Sequence, residues 1–234
     1  MKVAVINFSG NVGKTTIARH LLVPRIKGAR YVPVESINAD EDQREALRGK
    51  QFAQLQEFLL VSEHAVVDVG ASNVEDLLAL MRKYKDSHED FDYYIVPTVA
   101  AGKQQRDTLA TLMALVDMGV DPARLRVVFN QIEPGVDPKA VFEPVLAYAR
   151  SAGLSAVSPA SAIDENELFG RMKGLTQGID ELAKDDTDYK ALIAKEPDPA
   201  KKQALAGRLA TKRLAMGVAP ELDACFASLR LVGS

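Results

Sequence analysis

Apolar positions in this chain gather into short unbroken runs, separated by longer stretches with helical spacing. The first run is Val3-Ala4-Val5-Ile6-Asn7-Phe8, rich in β-branched residues and ended by Ser9-Gly10-Asn11. Further runs cover Tyr31 to Val34, His64 to Val69, Tyr93 to Thr98 and Leu125 to Phe129. None alternates cleanly with polar residues, which is the pattern of strands buried on both faces. Between them the spacing predicts helices from Lys14 to about Val23, stopped near Pro24, and from Asp42 to Leu60, with Phe52, Leu55, Phe58 and Leu59 on one face. Val74 to Tyr84, Asp107 to Met118 and Pro138 to Ala152 read as three more. Strands and helices in alternation predict an α/β fold, a mostly parallel sheet with helices on both faces.

The last third changes character. After a short apolar stretch near Val157 it is almost all helix-forming, and Pro197 and Pro199 divide two helical segments. Asp180 to Lys190 carries five acids and two lysines, whereas Lys195 to Arg213 carries six basic residues and two acids. The pattern predicts an α/β domain over residues 1–180 and a C-terminal helical extension, 181–234, packed on the same domain.

Composition narrows the function classes. At 234 residues and 47% hydrophobic, the chain can bury a sizeable core. A net charge of −3 argues against a globally basic nucleic-acid coat but allows a local basic patch. The single cysteine, Cys225, excludes an internal disulfide framework and any all-cysteine metal site within one chain. The three histidines are far apart, so a His-based metal site is not expected. No apolar run approaches the ~20 residues of a membrane span, and Lys2 to Phe8 is too short for a signal-peptide core. A cytoplasmic protein is expected.

The strongest chemical signal is Ser9-Gly10-Asn11-Val12-Gly13-Lys14-Thr15-Thr16, between the first strand and the first helix. Glycines let successive backbone N–H groups turn toward an anion, and a helix N-terminus adds partial positive charge. Lys14 can reach the β- and γ-phosphates of a nucleotide, and the Thr15 hydroxyl can ligate Mg²⁺. The motif departs from the common G-x-x-x-x-G-K-[ST], because Phe8 takes the first glycine position and Gly10 comes two residues later. Asp68, after His64-Ala65-Val66-Val67, has a Walker B pattern whose carboxylate would hold Mg²⁺ beside the loop.

The run Asn7 to Thr16 resembles the deviant Walker A loop of the ParA/MinD family, whose pattern is K-G-G-x-G-K-[ST]-T. Within that family, Val34-Glu35-Ser36-Ile37-Asn38 is most similar to the plasmid stability proteins called StbB, or TraL on conjugative plasmids. The resemblance covers roughly residues 1–180. It implies a P-loop ATPase that positions plasmids, chromosomes or division machinery, with ATP and Mg²⁺ as ligands. It also implies a homodimer, a plasmid-encoded partner or adaptor protein, and nucleoid association in a bacterial cytoplasm. Gly10, Asn11, Val12, Gly13, Lys14, Thr15 and Thr16 would bind nucleotide, and Thr15 and Asp68 the metal. Lys14, Asp68 and Glu35 would carry the catalytic roles, Glu35 as the family's first strand-end acid. Asn130 matches the strand-end Asn that reads adenine, an amide able to donate to a ring nitrogen and accept from the exocyclic amine. No Asn-Lys-x-Asp guanine reader is present.

Some positions depart from the family, and others extend the reading. The family's signature lysine, which reaches a dimer partner's phosphates, falls at Ser9, and its second glycine at Asn11. The water-positioning acid falls at Ile37, leaving Asn38, Asp40 and Asp42 as substitutes, so slow or partner-stimulated hydrolysis is expected. Lys201, Arg208 and Lys212 share one helical stripe, which the resemblance reads as a sequence-independent DNA contact. Pro97 to Gly102 and Ser158-Pro159-Ala160 lie where they would line the nucleotide site. Two other readings share the loop: an ATP-dependent small-molecule ligase of the dethiobiotin synthetase type, and a nucleotide-locked binding module without turnover.

Overall fold

Strand β1 (Lys2–Val5) is the hinge of the sheet's topology, with β3 (Ala65–Val69) on one side and β4 (Tyr93–Thr98) on the other. The full order is β2-β3-β1-β4-β5-β6, with β2 at Arg30–Val34, β5 at Leu125–Ile132 and β6 at Ala162–Asp164. Every pairing is parallel. The computed structural model describes residues 1–34, 41–175 and 177–231, with the side chains of 41–48 outside that description.

The unalternating strands bury both faces, as their composition requires. Ala4, Ile6, Val67, Val69, Tyr94, Val96, Val127 and Phe129 belong to one core layer. Against them lie α2 (Glu41–Val61) through Phe52, Leu55 and Leu59, α3 (Val74–Lys83) through Leu77, Leu78 and Met81, α4 (Gly102–Asp117) through Leu112 and Leu115, and α6 (Glu143–Ser151) through Val145 and Ala149. The opposite face carries the helix after β1. It opens as α1 (Lys14–Thr16), continues as a π-helical segment, Ile17–Leu22, and buries Ile17, Ala18, Leu21 and Leu22.

Local chemistry explains where boundaries differ from those the pattern predicts. β1 ends at Val5, although Ile6 N–H still donates to the Ile95 carbonyl. The predicted 138–152 helix divides into α5 (Pro138–Val141) and α6, because Pro144 in the first turn of α6 starts a new helix. α4 begins at Gly102, five residues ahead of the predicted Asp107. The apolar stretch near Val157 is not a strand; β6 follows it and has three residues, too few for a period to register.

The chain divides into two compact units, residues 1–165 with 225–234, and residues 166–224. The second holds α7 (Glu167–Arg171), α8 (Ile179–Ala183), α9 (Tyr189–Lys195) and most of α10 (Pro199–Ser228). Asp198, between Pro197 and Pro199, starts α10 by accepting the Ala200 and Lys201 N–H groups at 2.8 and 3.3 Å.

Candidate nucleotide site

The glycine loop leaves β1 at the carboxyl edge of the sheet, where the strand order reverses and α/β folds bind ligands. Its base is held by Asn7, which is buried. The Asn7 carbonyl oxygen, Oδ1, accepts from Ser9 N–H at 2.7 Å, while Nδ2 donates to the Pro97 carbonyl and to Thr108 Oγ1, both at 2.8 Å. Phe8 N–H donates to Thr111 Oγ1 at 3.1 Å. The start of the loop is thereby fastened to β4 and α4.

The tip is shaped by two left-handed residues, Asn11 at φ 59° and Gly13 at φ 86°. Asn tolerates this region better than most residues, so the departure at Asn11 leaves the turn intact. Asn130, at the end of β5, donates from Nδ2 to the Val12 carbonyl at 3.0 Å, and a β-carbon on Gly13 would fall 2.1 Å from that nitrogen. The next residue, Gln131, donates to the Asn11 carbonyl at 3.4 Å. Asn130 therefore braces the loop from below. Ile17 N–H closes on the Gly13 carbonyl at 2.9 Å. The first-turn amides have no acceptor in their own helix, which makes such an end a seat for phosphate.

Lys14 is buried, and its ammonium donates to the carbonyls of Ser9 at 2.6 Å and Asn7 at 3.1 Å. Burial pulls its pKa down to about 8, against the pull of the Asp68 carboxylate in the other direction. The cation is thus held at the loop by neutral oxygens, poorly compensated for its loss of water.

Asp68 meets the loop directly. Thr15 Oγ1 donates to Asp68 Oδ2 at 2.7 Å, and the Tyr31 hydroxyl donates to the same oxygen at 2.8 Å. The Arg19 guanidinium lies 4.5 Å from the centre of the Tyr31 ring. Burial is the main cause pushing the Tyr31 phenol upward. Among the described residues, no three His, Cys, Asp or Glu side chains converge as a metal cluster. A hydroxyl and one carboxylate suit Mg²⁺, which keeps several waters and takes substrate phosphate oxygens as further ligands.

Ser9 is buried, with its hydroxyl near the Asp107 carboxylate. The Lys103 ammonium, 2.8 Å from that carboxylate, is the main cause holding Asp107 below the usual range, with the Ser9 hydroxyl adding to it.

The predicted residues Gly10 to Thr16, Asp68 and Asn130 are thus brought to one edge. Glu35, Ile37, Asn38 and Asp40 lie outside the described residues, as does the Asp42 side chain. Lys201, Arg208 and Lys212 stand on α10 in the second unit, the first two exposed and Lys212 half-buried. Near them the Asp185 carboxyl is held down to about 2, first by the Thr187 and Tyr189 hydroxyls, with the Lys212 charge contributing. Sequence reasoning missed Tyr31, which reads as one more apolar residue in the second run, and the bracing role of Asn7. No local motif marks either.

Comparisons with known proteins bear on the fold. No family model matches the chain, and no curated protein matches it in sequence. Among solved structures, apo McdA from Cyanothece matches 79% of this chain and 94% of its own, with a TM-score of 0.54 at 13% identity. A McdA variant in complex with ATP, also from Cyanothece, covers 95% and 96% with a TM-score of 0.46 at 13% identity. The MinD cell division protein of Aquifex aeolicus covers 92% and 97% with a TM-score of 0.45 at 14% identity. The chain has an α/β P-loop NTPase-type fold, a six-stranded parallel sheet among the described residues with a C-terminal helix.

Proposed function

We propose that this protein is a Mg·ATP-binding switch ATPase of the ParA/MinD type, serving plasmid stability, partition or positioning. The observation that carries the reading is the Thr15–Asp68 hydrogen bond, which joins the phosphate loop to the end of β3 beside a buried Lys14. A hydroxyl and a carboxylate that can hold Mg²⁺ stand with a lysine for phosphate oxygens around a left-handed glycine turn. When bound, Mg²⁺ would neutralise charge between the β- and γ-phosphates. Lys14 would give up its loop carbonyls for phosphate oxygens, and Gly10 to Thr16 would cradle them. Asn130 would present its remaining amide capacity to adenine.

On this reading the γ-phosphate is felt by the segments after β2 and β3, and a plasmid-encoded partner or a second copy reads the result. DNA contact would come from Lys201, Arg208 and Lys212, and Glu35 would assist the metal's water shell. A second reading, a nucleotide-held module with little turnover, is favoured by Ser9. That side chain is turned to Asp107 and brings no cation to the phosphates.

Calorimetry with Mg·ATP tests the proposal. Wild type should bind ATP in preference to GTP, and Lys14→Ala should keep its fold while losing detectable binding. Wild-type ATP affinity in folded Lys14→Ala would remove the phosphate-loop assignment. Phosphate release with and without DNA separates the two readings.

A further inference from the structure

Asp68 Oδ2 accepts two hydrogen bonds from two different elements. Thr15 comes from α1, and Tyr31 from β2. On β2 the register partner of Asp68 is Pro33, and Tyr31, two residues earlier, lies on the same face. Its long side chain reaches diagonally along the strand to the carboxylate. The ring is capped by Arg19, from the helical segment that follows Lys14 and Thr15. Three elements therefore converge on one buried carboxylate.

We propose that Tyr31 is a positioning residue for the divalent cation: its hydroxyl fixes Asp68 Oδ2 so that Oδ1 is the oxygen presented to the metal or its water. The inference rests on the reading of this edge as a Mg·nucleotide site. Two donors at 2.7 and 2.8 Å fill the lone pairs of Oδ2 and fix the rotation of the carboxylate about its last bond. A phenol does this without cancelling the charge, as a lysine or arginine would. Thr15 alone leaves the carboxylate one support, and that support is itself a metal ligand. Arg19 holds the ring by its face and keeps the hydroxyl on target. Groups that orient a metal ligand in this way commonly carry 10–100-fold of metal affinity.

The test is nucleotide binding measured by calorimetry with ADP, in EDTA and across a Mg²⁺ titration. Tyr31→Phe keeps the ring and its face contact with Arg19, and removes the hydroxyl together with its bonds to Asp68 and Arg19. It should leave ADP affinity in EDTA within about two-fold and raise the Mg²⁺ concentration for half-maximal effect about ten-fold. In an Asp68→Asn background the same change should add nothing. A purely structural role would shift both arms together. An unchanged Mg²⁺ half-point in folded Tyr31→Phe overturns the inference while the nucleotide site stands. If Tyr31→Phe does not fold, Arg19→Ala serves instead: it should raise the half-point two- to three-fold, and no change counts against the inference. A wild type that binds no ADP in either arm removes the nucleotide reading and this inference together.

Discussion

Gly13 and Gly10 stand three residues apart in one loop and carry different constraints. Gly13 has a φ of 86°, and a β-carbon there would meet Asn130 Nδ2 at 2.1 Å. Gly10 lies outside the left-handed region, and a β-carbon on it would meet nothing within 4 Å. Gly13→Ala should therefore cost at least about 1–2 kcal/mol from backbone strain alone, and it should displace Asn130 and abolish nucleotide binding. Gly10→Ala should be close to neutral in urea denaturation. Equal stabilities for the two variants would contradict this geometry. Lys14 offers a second check, in nucleotide-free protein with EDTA. Its folded pKa is lowered to about 8 from the ordinary lysine value of 10.5, so between those values the unfolded chain binds more protons. Stability from this group therefore rises with pH across that window, by up to about 1.4 kcal/mol per unit. Lys14→Met should flatten the difference curve, and identical slopes for the two proteins would show that the lysine is not desolvated. The loop itself was legible in the sequence, because glycine, lysine and threonine spacing follows from phosphate chemistry. The brace from Asn130 was not, since 118 residues separate it from Val12.

Elements were legible where the pattern is long and the chemistry local. The five longer strands and the helices between them follow from runs and spacing. β6 does not, and neither does the change from α1 to a π-helical turn at Ile17. The end of α10 is held by a residue that the pattern reads only as an interruption. Arg126 lies inside the fifth apolar run, buried, with its ring-face neighbour Tyr93 at 4.9 Å. Its guanidinium donates to the carbonyls of Leu229, Ala123 and Leu125. It thus ties the chain end, residues 225–231, to the base of β5, and burial lowers its pKa. A buried carbonyl left unpaired costs about 1–3 kcal/mol. Arg126→Met should therefore destabilise the protein by about 3 kcal/mol and speed hydrogen exchange at the last turn of α10. An unchanged midpoint in guanidinium denaturation would mean that those carbonyls find other donors.

At the scale of the whole molecule, the sequence shows two charge blocks of opposite sign, and they belong to one compact unit. The acidic block spans α8 and the start of α9, and the basic block runs from the end of α9 through the first half of α10. Their neighbourhood was not legible, because nothing in a linear charge pattern says which blocks fold together. It changes what the basic stripe can do. The Lys212 charge is the smallest of the causes that hold the Asp185 carboxyl down to about 2, so at neutral pH an anion stands within Coulomb range of Lys212 without forming an ion pair with it. Lys201 and Arg208 are exposed, although Arg208 also lies near enough to Tyr189 to influence its hydroxyl. A stripe of three free cations would give a log–log salt slope of roughly −3 for DNA binding, at about −0.9 per phosphate neutralised. With the Lys212 charge partly offset by Asp185, the slope should lie between roughly −2 and −3. Asp185→Asn removes that offset, and should steepen the slope by up to about one unit while tightening binding at low salt. The effect should be equal on unrelated DNA sequences, since phosphates carry no sequence information. Retention of fluorescent duplexes measured between 25 and about 200 mM salt reads both quantities. A slope of roughly −3 in wild type, unmoved by Asp185→Asn, would show that Lys212 is already free for phosphate. No retention of either protein at the lowest salt would make the stripe a solvated face, and DNA would leave the list of partners.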